Sequence, residues 1–252
     1  MRLIPVIDLL AGHVVHACAG QRTHYRPIVS LLHPGSDPKE LACVLRDLVG
    51  NANLYVADLD SIAGRGTHAG SISQLVADGG RVHLDPGIRQ AEEIPSWLAL
   101  GVTRVILGTE SLKGPEVLGQ AVASAGPSRL AIGLDLRGSR PILAAGSESA
   151  WGQVGHSPLE LLRLAAGVGI PMAVVVELES VGTGGGLAGW AVPLARQCRD
   201  QFPELELWIG GGLAGEEELP ALAEAGIAGV LVATALHQRK LSQGSLNCWS
   251  GR

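Results

Sequence analysis

The chain has 252 residues, 46% hydrophobic, 17% charged and 3% aromatic with 35 glycines, so its core must be built from Ala, Val, Leu and Ile and intrinsic disorder is excluded. Nineteen Lys and Arg against 24 Asp and Glu give a net charge of −5 with no basic run, which excludes the electrostatic footprint of a general nucleic-acid binder. Four scattered cysteines without C-x-x-C spacing, an N-terminus interrupted by Pro5 and Asp8, and no apolar stretch near ~18 residues predict a cytoplasmic protein with no membrane association.

Short Val-, Ile- and Leu-rich runs recur along the chain, each followed by a Gly, Asp or Thr turn and a stretch of helical periodicity. The first run, 3–9, closes on Asp8-Leu9 and precedes a helix at 38–48 opened by Pro38. The second, 54–59, carries Asp58 and leads to a helix at 72–77. Runs at 81–84 and 104–107 follow, with helices at 92–100 and 115–124. The fifth run, 130–136, carries Asp135 and is followed by a long loop, 138–156, and a helix at 158–168. Runs at 172–177, 205–209 and 229–232 complete the series, with helices at 190–199 and 216–225. Units of about 32 residues suit βα repeats, and eight of them predict a closed (β/α)8 TIM barrel occupying a single domain, 1–252.

The two halves repeat one another. Gly101–Thr109 lies 125 positions before Gly226–Thr234, Ile7-Asp8-Leu9 recurs 127 positions on as Leu134-Asp135-Leu136, and Asp58–Ser61 is echoed 119 positions on by Glu177–Ser180. The matches fall in the same order and predict half-barrel duplication with pseudo-twofold symmetry, the halves at about 1–125 and 126–240 and a tail at 241–252.

In such barrels the active site lies at the carboxyl ends of the strands, so the residues that end the runs are the candidates. Asp8 and Asp135 end runs one and five, on opposite sides of the mouth, where two carboxyls could act as an acid–base pair. Each alone could equally cap the following helix or pair with an arginine such as Arg137, but the repeat favours the pair. Gly211, Gly212, Ala233 and Thr234 after runs seven and eight form a glycine-rich anion cradle, and Gly87, Arg89, Gly108 and Thr109 after runs three and four form a weaker one, since backbone N–H groups of glycine turns approach phosphates closely. His13 and His16 are spaced to touch one metal but have no third ligand nearby, so no metal site is expected. His83 reads as a core or barrel-mouth residue rather than a catalyst, and Trp151 in the 138–156 loop could cover an aromatic base or equally serve simple packing.

Ile4–Leu9 with Gly12, Val56–Asp60, Pro86–Arg89, Val105–Thr109, Leu134–Arg137, Gly182-Thr183 and Ile209–Gly212 together resemble the histidine-biosynthesis barrel family, from Ile4 to Leu236 in order. That family contains a ribotide isomerase and the cyclase subunit of imidazole glycerol phosphate synthase, and Pro5–Leu9 is closer to the isomerase. The resemblance implies a substrate with a phosphate at each end, Asp8 as general base and Asp135 as general acid of an Amadori rearrangement, Gly182 and Thr183 among the phosphate contacts, and His16, Asp58, Arg137, Trp151, Val176 and Glu177 near the substrate, with no cofactor. Several positions depart from it: Asp85-Pro86 stands where the family has two glycines, Val176 where the isomerase has threonine, His16 where it has arginine, and Ser180-Val181 lacks the family's basic-acidic pair. Val14–Ile28 is similar to a segment of an isomerase-related group associated with tetrahydromethanopterin and one-carbon metabolism. Three readings follow: a ribotide-type isomerase, a diverged paralogue using the same carboxylates on another phosphorylated substrate, and a non-catalytic phosphoribosyl-ligand binder.

Overall fold

The computed structural model describes residues 1–250. Eight parallel strands, β1 (Arg2–Leu10), β2 (Asn53–Asp58), β3 (Arg81–Asp85), β4 (Arg104–Gly108), β5 (Leu130–Arg137), β6 (Met172–Glu177), β7 (Glu206–Gly210) and β8 (Gly229–Val232), pair in chain order. β8 pairs back onto β1 through Arg2↔Gly229 to Pro5↔Val232, so the sheet closes into a (β/α)8 barrel. Every strand predicted from the apolar runs is present within a residue or so of its expected bounds.

The helices α1 (Pro38–Val49), α2 (Ala69–Ala77), α3 (Ile94–Leu98), α4 (Glu116–Ala125), α5 (Pro158–Gly167), α6 (Ala188–Gln201) and α7 (Leu219–Glu224) cover the outside. Local chemistry sets their ends: Asp37 accepts the Glu40 N–H ahead of Pro38, Gly50 closes α1 at φ 64°, and Ser157 caps α5 ahead of Pro158. The expected helices at 92–100 and 216–225 each begin instead as a 3-10 turn, Ala91–Glu93 and Glu216–Glu218, ahead of shorter α3 and α7. Pro95 and Pro220 stand at equivalent places in those helices, another trace of the duplication.

Side chains alternate along each strand between two cores. Leu3, Ile7, Leu9, Val56, Leu84, Ile132, Leu134 and Ile209 point outward under the helices. Ile4, Tyr55, Ala57, Ile106, Ala131, Met172, Val174, Trp208 and Leu231 fill the barrel. Deep inside, Trp208 packs against His83 with ring centroids 4.6 Å apart, and its indole N–H donates to Glu206 Oε1 at 2.9 Å. Gly229 makes room for that indole, since a Cβ there would lie 2.6 Å from Trp208 Cδ1. His83 is paired with Asn53 Oδ1 at 3.1 Å, and burial together with Arg104, Arg81 and Arg2 lowers its pKa to about 3, so it is a neutral core residue as expected.

An element absent from the sequence-based expectation lies between β1 and α1. The chain reverses at Ala11 (φ 50°) and Gly12 (φ 83°) and returns as a short antiparallel strand, His13–His16, which in turn pairs with Arg26–Pro27. Such a two-residue reversal needs positive φ at both positions. Glycine supplies it at Gly12, and Ala11 is held there by its N–H donating to Asp60 Oδ2 at 2.7 Å.

Candidate active site

A cavity opens at the carboxyl ends of the strands, enclosing about 1120 Å³ of empty space, its open mouth included. Asp8 falls on the inward face of β1 with Ile4 and Val6, and Asp135 on the inward face of β5 with Ala131, so both carboxyls line the cavity from strands one and five. The two are register equivalents: Asp8 pairs with Ala57 and Asp135 with Val176, each just before the acid that ends the neighbouring strand.

The hairpin supplies a roof of charge and aromatic rings. Arg22 donates to Glu110 Oε1, and Tyr25 and Tyr55 line the cavity beside them. Burial raises the Asp8 pKa to about 7, opposed by the Arg22 guanidinium. Burial lifts Asp135 well above the carboxylate range, reinforced by Glu110, Asp85 and Asp8 and opposed by Arg22. Burial and the surrounding carboxylates also push the phenols of Tyr25 and Tyr55 up, so both remain protonated hydrogen-bond donors.

At the β7–β8 end, Gly182, Gly184, Gly211, Gly212, Ala233 and Thr234 line the cavity. Among the described residues, the half-buried N–H groups of Gly182, Gly184, Gly212 and Thr234 have no protein acceptor and are free to meet a ligand. A Cβ on Gly212 (φ 81°) would overlap the Ser180 carbonyl oxygen, and one on Gly182 (φ 74°) that of Ala17, so glycine is required at both. His16 Nε2 lies 3.2 Å from Thr234 Oγ1, and Lys240 adds a cation at the rim.

The β3–β4 end is built differently. Asp85 lines the cavity, and its Oδ1 accepts the Gly87 N–H at 3.0 Å. Gly108 packs against the same carboxylate. Thr109 donates its hydroxyl to Ile142 O and its amide to Gly133 O, and Arg89 clamps the carbonyls of Ile62 and Gly87. Burial and Glu110 raise the Asp85 pKa to about 7 against the Gly87 N–H and Arg22, which lower it.

Several expected contacts are therefore elsewhere. Reading the last residue of each run places Asp58, Thr109 and Glu177 at the mouth, but strand alternation turns them outward and leaves Ala57, Gly108 and Val176 inward. Asp58 is fully buried and accepts from Ser61 N, His68 N and the His68 ring. Glu177 accepts from Gly138 and Ser139 N–H. Trp151, 1% exposed, is packed into the outer core by the one-turn helix Glu148–Trp151 and covers nothing in the cavity. Arg137 is exposed beside Gly20 and Thr183 donates its hydroxyl to Ser180 O, both off the cavity wall. His16 and Val176 do line it. His13 bonds Ser36 instead of sharing a ligand with His16, and no group of three metal-binding side chains occurs among the described residues.

Arg22, Tyr25, Glu110, Gly184 and Lys240 are among the cavity residues that reading the run ends misses. The segment Val14–Ile28 carried a signal for two of them, since Val15, His16, Ala17, Gly20, Arg22, Tyr25 and Ile28 all line the cavity. The structural role of Asp58 gives a first prediction. Asp58→Asn unbalances donors that its carboxylate satisfies in a buried place and costs about 1–3 kcal/mol of stability, while KM stays unchanged. A raised KM with unchanged melting would return Asp58 to the substrate.

Residues 2–242 match the family described as histidine biosynthesis protein. Curated relatives include proteins named 1-(5-phosphoribosyl)-5-((5-phosphoribosylamino)methylideneamino)imidazole-4-carboxamide isomerase. The one from Thermus thermophilus is 31% identical over 96% of both chains, and that from Deinococcus radiodurans 30% identical over 95% of both. The one from Sphingopyxis alaskensis is 32% identical over 96% of this chain and 94% of its own. With the duplicated barrel and a match from end to end, this chain belongs to the histidine biosynthesis protein family.

Proposed function

We propose that the chain is an aldose–ketose isomerase acting on an N-substituted phosphoribosylamine, in keeping with relatives that are named as isomerases of a phosphoribosylamino compound. The observation that carries this reading is the pair of inward-facing aspartates, both with pKa raised by burial, beside an anion cradle of acceptor-free amides. A pair of acids whose environments separate their titrations can divide the roles of acid and base at one pH.

The sugar phosphate sits on Gly182, Gly184, Gly212 and Thr234, with Lys240 at the rim, which places the sugar ring between Asp8 and Asp135. Asp135, held protonated by burial and by Glu110, Asp85 and Asp8, protonates the ring oxygen. The bond from that oxygen to C1 breaks with its electron pair going to oxygen, and the nitrogen lone pair forms the C1=N bond of a protonated Schiff base. Asp8 then removes the C2 proton, and the electron pair of that bond forms the C1=C2 bond of an enolamine as nitrogen regains its lone pair. Asp8 gives its proton to C1 and the O2 proton passes to Asp135, which yields the aminoketose and restores both carboxyls. Atoms and charge balance without an external redox partner.

The test is the pH dependence of kcat/KM, which reports the free enzyme. Asp8 must be deprotonated, so the rate rises about tenfold per pH unit until about 7, where Asp8 titrates, then levels. It falls again at higher pH as Asp135 loses its proton. A profile flat between about pH 5 and 8 would remove Asp8 from the role of base.

A further inference from the structure

We infer that the substrate carries a phosphate at one end only, and that its other end presents hydrogen-bond donors to Asp85 and Glu110. The inference rests on the isomerase reading above and narrows its substrate class.

The register makes the comparison of the two ends residue by residue. Ala57 on β2 pairs with Asp85 on β3, and its equivalent Val176 on β6 pairs with Gly210 on β7. Asp85-Pro86-Gly87 therefore occupies in one half the place that Gly210-Gly211-Gly212 occupies in the other. In the second half this turn contributes the acceptor-free Gly212 amide to the cradle. In the first half Pro86 has no N–H to offer, the Gly87 N–H is taken by Asp85 Oδ1, and the Thr109 amide and hydroxyl are taken by Gly133 and Ile142. The one arginine of the turn, Arg89, is directed onto two carbonyls instead of the cavity.

A phosphate entering there would meet the Asp85 carboxyl, with Glu110 beside it, and would find no free N–H on Pro86 or Gly87. Arg22 offsets this only in part, because one of its guanidinium nitrogens is held by Glu110. Asp85 is 7% exposed and its Oδ2 has no hydrogen-bond donor within the protein. Above about pH 7, where Asp85 is ionised, that oxygen accepts from a ligand N–H or O–H and repels an anion. The compound in the relatives' name carries two phosphoribosyl groups. This cavity is shaped to accept one of them and to replace the other with an amine, amide or hydroxyl-bearing N-substituent.

The experiment is calorimetric titration of the full chain with ribose 5-phosphate and with the bisphosphorylated substrate of the relatives, using wild type, Asp85→Asn, Asp85→Gly/Pro86→Gly and Thr234→Val, with melting curves as the folding check. Wild type should bind one equivalent of ribose 5-phosphate, and Thr234→Val should weaken it. The bisphosphorylated compound should bind wild type no more tightly than ribose 5-phosphate does. Asp85→Asn, which keeps the side chain's shape and removes its charge, should tighten the bisphosphorylated compound about tenfold, and Asp85→Gly/Pro86→Gly about a hundredfold, with ribose 5-phosphate unaffected. Wild type binding the bisphosphorylated compound a hundredfold tighter than ribose 5-phosphate, with neither Asp85 variant improving it, overturns the one-phosphate inference and leaves the isomerase reading intact. Failure of ribose 5-phosphate to bind, or indifference to Thr234→Val, overturns the isomerase reading itself.

Discussion

Asp8→Asn and Asp135→Asn each lower turnover by about 10²–10⁴-fold, the contribution of a positioned general acid or base. Asparagine keeps the size of the side chain and most of its hydrogen bonding but cannot carry the proton. The double variant should be little worse than either single one, since both residues serve one proton circuit and such losses are strongly non-additive. Stability separates this loss from misfolding. The Asp8 pKa is about 7 in the folded chain against 3.8 for an ordinary aspartate. Below about 4 both states hold the proton and no penalty exists. The penalty grows from there to about 7 as the unfolded state ionises first, and it is complete above 7. At pH 8 the Asn variant should therefore melt no lower than wild type. Conversion of aminoaldose to aminoketose can be followed by NMR at the C1 and C2 carbons, with affinity measured in parallel. Near-normal turnover in either single variant would make that aspartate structural and the proposed chemistry wrong.

The second large effect concerns stability. Trp208→Ala should cost about 3–5 kcal/mol, the range for deleting a large buried aromatic. Trp208 is 1% exposed, sits against His83 and Gly229, and anchors the part of the barrel interior farthest from the cavity. The surrounding strands are tied by ladders on both sides and cannot collapse into the void. At roughly 2–4 °C per kcal/mol for a chain of this size, the melting temperature falls by on the order of 10 °C. A loss below about 1 kcal/mol would mean that the interior repacks freely and that the indole is not its main filler.

The barrel was legible in the sequence because strands buried on both faces read as near-continuous apolar runs, as Met172–Glu177 does. Asp8 and Asp135 were legible because the halves repeat and both aspartates fall on the inward parity of their strands. Asp58 and Glu177 were misplaced because a run of apolar residues does not reveal its own parity, and a shift of one residue moves a side chain from the cavity to the outer layer. The hairpin between β1 and α1 was not legible, because its turn depends on Asp60, 49 residues from Ala11, holding a non-glycine residue at positive φ. Arg22 and Tyr25 reach the cavity only through that hairpin, and Glu110 becomes relevant only when Arg22 arrives against it.

The mismatch of Asp85 with Gly210 across the pseudo-twofold axis also gives the cavity a direction. A duplicated barrel with identical ends would admit an elongated ligand in either sense, and in one of them the carboxyls would face the wrong sides of the reacting sugar. With free amides at one mouth and a carboxylate at the other, a ligand bearing a single anion enters one way round. In the proposed reaction the proton donor on β5 and the acceptor on β1 would then meet the same two atoms on every encounter. One acidic side chain at a register position thus converts a symmetric scaffold into a polar one, and non-productive binding is suppressed before any chemistry begins.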